Sequence, residues 1–141
     1  MAMRVLLVDD DLHALEVQRE LIEHAGHLVI TAASRERALD LIGAHEFDAA
    51  FIDVVLGGAD GFDVLRCFTQ AHPAARAYVL TAHDKPENLL RARRLGARAF
   101  LTKPLRWDEL RRALDAAGDV TSGPSHARGA AAESPDKRGQ L

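Results

Sequence analysis

Five short apolar runs punctuate this chain, each too brief for a buried helix and none alternating with polar residues. They are RVLLV (4–8), HLVITA (27–32), AAFI (49–52), AYVL (77–80) and AFLT (99–102). Runs of this length, rich in Val, Ile, Leu or Phe, read as strands buried on both faces, the habit of parallel sheets. Helical patterns fill the gaps. LHALEVQRELIEHA spaces Ala14, Val17, Leu21 and Ala25 by three and four, and Gly26 stops it. The same helix carries a second apolar set, Leu12, Leu15 and Ile22. SRERALDLIGAH opens on Ser34 as N-cap and carries Ala38, Leu39 and Ile42. GFDVLRCFTQA carries Phe62, Leu65 and Phe68, with Cys67 expected as a small buried hydrophobe. DKPENLLRARRLG has Asp84 or Lys85 before Pro86 in its first turn, then Leu89, Leu90, Leu95 and Gly96. RWDELRRALDAAG carries Trp107, Leu110 and Leu114, with Gly118 after it. Strand and helix alternate five times, which predicts an α/β fold: a doubly wound five-stranded parallel sheet with helices on both faces.

The bulk properties narrow the function classes. A net charge of -3 offers no excess of base for nucleic acid or a membrane surface. One cysteine, Cys67, excludes an internal disulfide and a Cys-rich zinc site, and suits a reducing cytoplasm. MAMRVLLVDDD has too short an apolar run and too many acids for a signal peptide. No stretch is long and apolar enough to span a bilayer, so a cytoplasmic location is expected. At Asp119 the composition turns to Gly, Ser, Pro, Ala and balanced charge, with no aromatic residue. The expected organisation is therefore a domain over 1–118 and a flexible tail over 119–141, which cannot bury enough apolar surface to offset its ordering entropy. A linker to a further domain is the alternative reading of that tail.

In a parallel sheet the strands all end on one edge, and ligands bind there. The first run ends in Asp9, Asp10 and Asp11; the third in Asp53; the fourth in Thr81 and Ala82; the fifth in Lys103 and Pro104. Clustered carboxylates are costly unless a positive charge neutralises them. Mg²⁺ suits such a cluster, since it is small, seeks oxygen and leaves positions for water and phosphate. A lysine and a threonine hydroxyl at the same edge point to a phosphoryl group, held by a point charge and a hydrogen bond. One carboxylate can itself be the nucleophile that forms an aspartyl-phosphate. Each residue alone has a plainer reading: an acidic helix start, a turn cap, a polar strand end, a surface lysine. Their joint occurrence, in order at the ends of four buried runs, favours the functional one.

At these residues the sequence resembles the receiver domains of two-component response regulators. The resemblance covers about Met3 to Gly118 and rests on VDDD, FIDVVLGGADGFDVL, VLTAH and GARAFLTKPL. It implies the flavodoxin-like strand order 2-1-3-4-5. It also implies roles: Asp53 as phosphoacceptor, Asp10 as direct Mg²⁺ ligand, Asp9 as the second acid, and the Val55 backbone carbonyl as a further metal ligand. Thr81 and Lys103 would contact the phosphoryl group, Phe100 would be the aromatic partner of the Thr81 switch, and Pro104 would follow a cis peptide bond. Val55 and His83, each two residues past Asp53 and Thr81, would flank the water that hydrolyses the phosphate. Gly57 stands where many members have proline, and Phe100 replaces a frequent tyrosine. Val55 brings no hydrogen bond to that water, so a long-lived phosphate is expected, with His83 able to work against it.

The resemblance implies a signalling switch that catalyses only its own phosphorylation and dephosphorylation. The donor would be a histidine kinase or phosphotransfer protein, docking on the first helix, whose second apolar set reads equally well as a wide core-facing stripe. The basic segment after Asp84 (Arg91, Arg93, Arg94, Arg98, Arg106, Arg111 and Arg112) resembles the family's output face, for an unknown protein partner or a phosphorylation-dependent homodimer. Direct nucleic-acid binding is not expected, because aromatic stacking residues are scarce and the arginines also suit helix ends. Three rivals stand beside this reading. One is a phosphorylation-silent scaffold, which the full acid, Thr81 and Lys103 set opposes. Another is the receiver part of a larger regulator. The last is a hydrolase of the haloacid dehalogenase kind, which needs an acid where Val55 stands.

Overall fold

The structure, a computed structural model, describes residues 2–56, 59–81, 86–103 and 105–122. Chain order runs β1 (Arg4–Val8), α1 (Leu12–His24), β2 (Leu28–Ala32), α2 (Arg35–Ala44), β3 (Ala49–Asp53), β4 (Val55–Leu56), β5 (Ala59–Asp60), α3 (Phe62–Ala71), β6 (Arg76–Thr81), α4 (Pro86–Arg94), β7 (Ala99–Thr102) and α5 (Trp107–Ser122). All five apolar runs are strands of one parallel sheet, ordered β2-β1-β3-β6-β7. Counting only those strands, this is the expected order 2-1-3-4-5. The two-residue strands β4 and β5 pair antiparallel with each other, apart from the sheet.

The period-two geometry of a strand divides the core between two faces. Leu6 and Val8 of β1, Ala50 and Ile52 of β3, and Val79 of β6 meet Ala38, Leu41 and Ile42 of α2 and Leu65 and Phe68 of α3. Val5, Leu7, Phe51, Tyr78 and Leu80 meet Leu15 and Ile22 of α1 and Leu110 and Leu114 of α5 on the other face. There Phe51 and Tyr78 stack at 5.2 Å. The Tyr78 hydroxyl donates to the Ala113 carbonyl at 3.0 Å, pinning α5 to the sheet. Burial pushes the Tyr78 phenol up to about 12, so it remains a donor across the physiological range.

The helix ends follow local chemistry. Asp11 caps α1 by accepting from the His13 and Ala14 N–H groups, and Ser34 caps α2 by accepting from Arg37. Gly26 and Gly96 take the left-handed conformation just past α1 and α4, with φ of 98° and 100°.

Several expectations need correction. The edge strands β2 and β7 are only partly buried, because each has one neighbouring strand and less helix cover. On α1 the core stripe is Leu15, Gln18 and Ile22, and Val17 is 44% exposed. Two apolar sets competed on that helix, and the core takes from both: Leu15 and Ile22 are buried and Leu21 packs beside them, while Leu12 and Val17 are exposed. On α4 only Ala92 is buried among the described side chains; Leu89 and Leu90 face solvent. Trp107 is half-exposed at the start of α5, and Cys67 is partly buried. Helix α5 continues through Gly118 to Ser122, beyond the expected stop. The rest of the expected tail, Gly57, His83, Asp84, Lys85 and Pro104 lie outside the described residues. No helix among the described residues is long and apolar enough to cross a membrane.

The stripe assignment on α1 has a direct stability consequence. Ile22→Ala should cost ~2–5 kcal/mol, since it leaves a core cavity. Val17→Ala should cost less than about 1 kcal/mol. Urea denaturation of the two variants checks this, and equal costs would contradict it.

Candidate functional site

Strand register assembles the acids before any side-chain contact is considered. Val8 pairs with Ile52, so the residues that follow, Asp9 and Asp53, stand side by side at the carboxyl edge. Asp53 pairs with Leu80, and Leu80 with Leu101, so Thr81 lies one residue beyond that row and Lys103 two beyond. The Lys103 N–H donates to the Thr81 carbonyl at 2.8 Å, which fixes the lysine at the end of β7.

From there Lys103 reaches back across the edge. Its Nζ donates to Asp53 Oδ2 at 2.6 Å and lies 2.6 Å from Asp9 Oδ2. The second contact is a close ion pair without hydrogen-bond alignment. Asp9, Asp53 and Thr81 are all buried, at 0%, 5% and 2% exposure, so the charges interact with little water between them. Burial pushes the Asp53 carboxyl above the usual carboxylate range, and the like charge of Asp9 adds to this. The Lys103 hydrogen bond and the Val55 N–H, which donates to Asp53 Oδ1 at 2.8 Å, offset only part of it. For Lys103, burial opposes the charged form, but the hydrogen bond to Asp53 and the negative charges of Asp53 and Asp9 outweigh it and raise the ammonium above its ordinary value. The lysine is therefore a fixed cation.

The three consecutive acids divide their work. Asp9 is buried, and its Oδ1 accepts the Asp11 N–H at 3.0 Å. Asp10 is exposed at the rim, and Asp11 caps α1. Asp9, Asp10 and Asp53 each bring an oxygen within 4.8 Å of the others. Three hard oxygen donors at that spacing fit a small divalent cation such as Mg²⁺. Asp9 Oδ2, buried and lacking an aligned donor, is the kind of atom such a cation satisfies.

The loop after Asp53 adds two residues that the sequence reading left without a role. A Cβ on Gly61 would fall 2.7 Å from the Val54 Cα and 2.9 Å from the Asp53 carbonyl oxygen, so only glycine lets α3 start this close. Asp60 Oδ1 accepts the Phe62 N–H at 2.9 Å and caps α3 from outside. An Asp-Gly pair ahead of an amphipathic run was the available signal. Val55 is exposed beside Asp53. Phe100 is half-buried, away from the acids, in a groove of about 450 Å³ between α4 and β7 that Leu89, Leu90, Arg93 and Arg98 also line. His83 lies outside the described residues.

The response regulator receiver domain profile matches residues 5–115. The chain is 37% identical over 108 residues to the alginate biosynthesis transcriptional regulatory protein AlgB of Pseudomonas aeruginosa, covering 77% of this chain and 24% of that protein. It is 37% identical over 134 residues to the sensor histidine kinase AruS of the same organism, covering 92% of this chain and 13% of that one. Among solved structures, a CheY-like receiver domain protein from Methanospirillum hungatei superposes with a TM-score of 0.81 at 25% identity, over 86% of this chain and 98% of that one. A response regulator from Burkholderia pseudomallei, solved with a phosphorylated aspartic acid and a calcium ion, gives 0.76 at 28% identity, over 84% and 71%. This chain thus spans about a quarter or less of these two curated relatives. With the sheet order, the acid cluster and the profile match in agreement, the chain belongs to the receiver domain family of two-component response regulators.

Proposed function

We propose that this receiver accepts a phosphoryl group on Asp53 from a histidine kinase or phosphotransfer protein and acts as a cytoplasmic signalling switch rather than a metabolic enzyme. The observation that carries this reading is Lys103 Nζ lying 2.6 Å from both buried carboxylates, Asp9 and Asp53, with Asp10 at the rim. Asp9, Asp10, Asp53 and the Val55 carbonyl would hold Mg²⁺, which when bound supplies charge neutralisation for the phosphoryl oxygens. An Asp53 carboxylate oxygen attacks phosphorus; the new P–O bond forms as the donor's P–N or P–O bond breaks. Lys103 then neutralises a phosphoryl oxygen as a point charge. The Thr81 hydroxyl donates to another, and its movement is relayed to Phe100 and the groove after Asp84. The exposed, apolar Val55 supplies no hydrogen bond to an attacking water, which supports a slowly hydrolysed phosphate, with His83 as the second tuning position. The relatives' greater length supports a place within, or alongside, a larger regulator.

Incubation with Mg²⁺ and acetyl phosphate should add the mass of one phosphoryl group, and Asp53→Ala should abolish the addition. After donor removal, the phosphate should decay more slowly in the parent than in Val55→Asn. Steady release of free phosphate without an adduct would point to a hydrolase instead, and no reaction with several donors to a silent scaffold.

A site built for a cation should strain the metal-free protein. Because the folded Asp53 carboxyl titrates above its ordinary value near 3.8, folding takes up a proton in that window, and stability falls as pH rises through it. Asp53→Asn, uncharged throughout, should melt a few °C higher than the parent at pH 7 without metal, about what 1 kcal/mol gives in such a domain. The gap should close as the pH falls below the ordinary value. A lower melting point at pH 7, or a gap indifferent to pH, would contradict this.

A further inference from the structure

Helix α4 is held lightly by the core. Ala92 is its one buried side chain among the described residues, and Leu89 and Leu90 are exposed. Its carboxyl end has a firm anchor: the Thr69 hydroxyl donates to the Leu95 carbonyl at 2.8 Å, beside the left-handed Gly96. Its middle is gripped from elsewhere. Arg91 Nη2 pairs with Asp60 Oδ2 at 2.8 Å, and the Arg91 Cζ lies 4.2 Å over the ring of buried Phe62. One guanidinium thus holds the two residues that flank Gly61.

Those residues are continuous with the phosphoacceptor. The Gly61 N–H donates to the Val54 carbonyl at 2.8 Å, and Gly61 abuts the Asp53 backbone. Asp60 pairs with Val55 in the β4–β5 ladder, and the Val55 N–H donates to Asp53 Oδ1. An isolated exposed ion pair carries little. Here the same guanidinium also stacks on an aromatic face, and both contacts land on one tightly closed loop. Arg91 is therefore separable from the other arginines after Asp84, since Arg93 and Arg98 line the groove.

We propose that Arg91 is a positioning residue that ties α4 to the Asp53 loop, so that events at Asp53 reach α4 through Asp60 and Phe62 as well as through Thr81. This rests on the reading that Asp53 takes the phosphoryl group. Coupling of this kind is reciprocal: whatever tightens the loop steadies α4, and loosening α4 frees the loop.

Amide hydrogen exchange over residues 86–94 tests the tie. The proteins are the parent, Arg91→Gln, Asp60→Asn and the double variant; Asn keeps the oxygen that caps α3 while removing the charge. Without metal, each single variant should speed exchange of α4 about three- to tenfold, the range for an ion pair joined by a cation–π contact. The double variant should add little beyond Arg91→Gln, because the ion pair lost in Asp60→Asn is already lost in Arg91→Gln. With Mg²⁺ and acetyl phosphate, α4 exchange should change in the parent, and at least half of that change should vanish in Arg91→Gln even though Asp53 still gains its phosphoryl mass. Unchanged metal-free exchange in the single variants overturns the tie, as does additivity in the double variant. An equal response to phosphorylation in parent and Arg91→Gln overturns the relay. A parent that takes no phosphoryl group overturns the phosphoacceptor reading and the relay with it, while the metal-free comparison still decides the tie.

Discussion

The Lys103 ammonium between two buried carboxylates is the contact on which the rest of this molecule depends. Asp9 and Asp53 sit at the ends of adjacent strands, side by side and out of water, an arrangement that like charges resist. A lysine fifty positions from Asp53 along the chain reaches them from the far end of the sheet. Its placement requires β7 to lie parallel to β6 in the register that sets Thr81 beside Thr102. Closing the sheet and neutralising the acids are therefore one event. The compensation is incomplete: burial, with Asp9 beside it, holds the Asp53 carboxyl above its usual range, and Lys103 offsets only part of this. A site left short of positive charge is one that a cation or a phosphoryl-bound cation can enter with gain.

The surrounding structure holds that unfinished charge in place. Asp11 spends its carboxylate on the start of α1, which leaves Asp9 and Asp10 for the edge. Gly61 lets α3 begin against the Asp53 backbone, and the small β4–β5 ladder keeps the Val55 N–H on the Asp53 carboxylate. On the rear of the sheet, Tyr78 fastens α5 through a buried hydroxyl. The lightly held element is α4, whose Leu89 and Leu90 remain exposed and whose one buried side chain among the described residues is Ala92. Rigidity near the acids and looseness at α4 are what a local chemical event needs if it is to be read at a distance.

Much of this is legible in the sequence. The five apolar runs are the five sheet strands, since a strand covered on both faces can hardly be written otherwise. The acids, Thr81 and Lys103 were legible because parallel strands all end on one edge, so position in the run fixed position in space. Four things were not. Helix α1 offered two stripes at helical spacing, and only packing chose Leu15 and Ile22 over Val17. The exposure of Leu89 and Leu90 depends on what α4 packs against, which periodicity cannot state. The β4–β5 ladder is two residues long on each side, too short to have a period. The Arg91 contacts with Asp60 and Phe62 join segments some thirty residues apart, and no local pattern distinguishes Arg91 from its neighbouring arginines.

Asp9 and Asp10 stand at the edge while Asp11 caps the helix. Calorimetric titration of Mg²⁺ into the parent, Asp10→Asn and Asp11→Asn tests this division most directly. Asp10→Asn should weaken binding by at least about tenfold, or ~1.4 kcal/mol, and Asp11→Asn should leave it nearly unchanged. Equal losses in the two variants would contradict it.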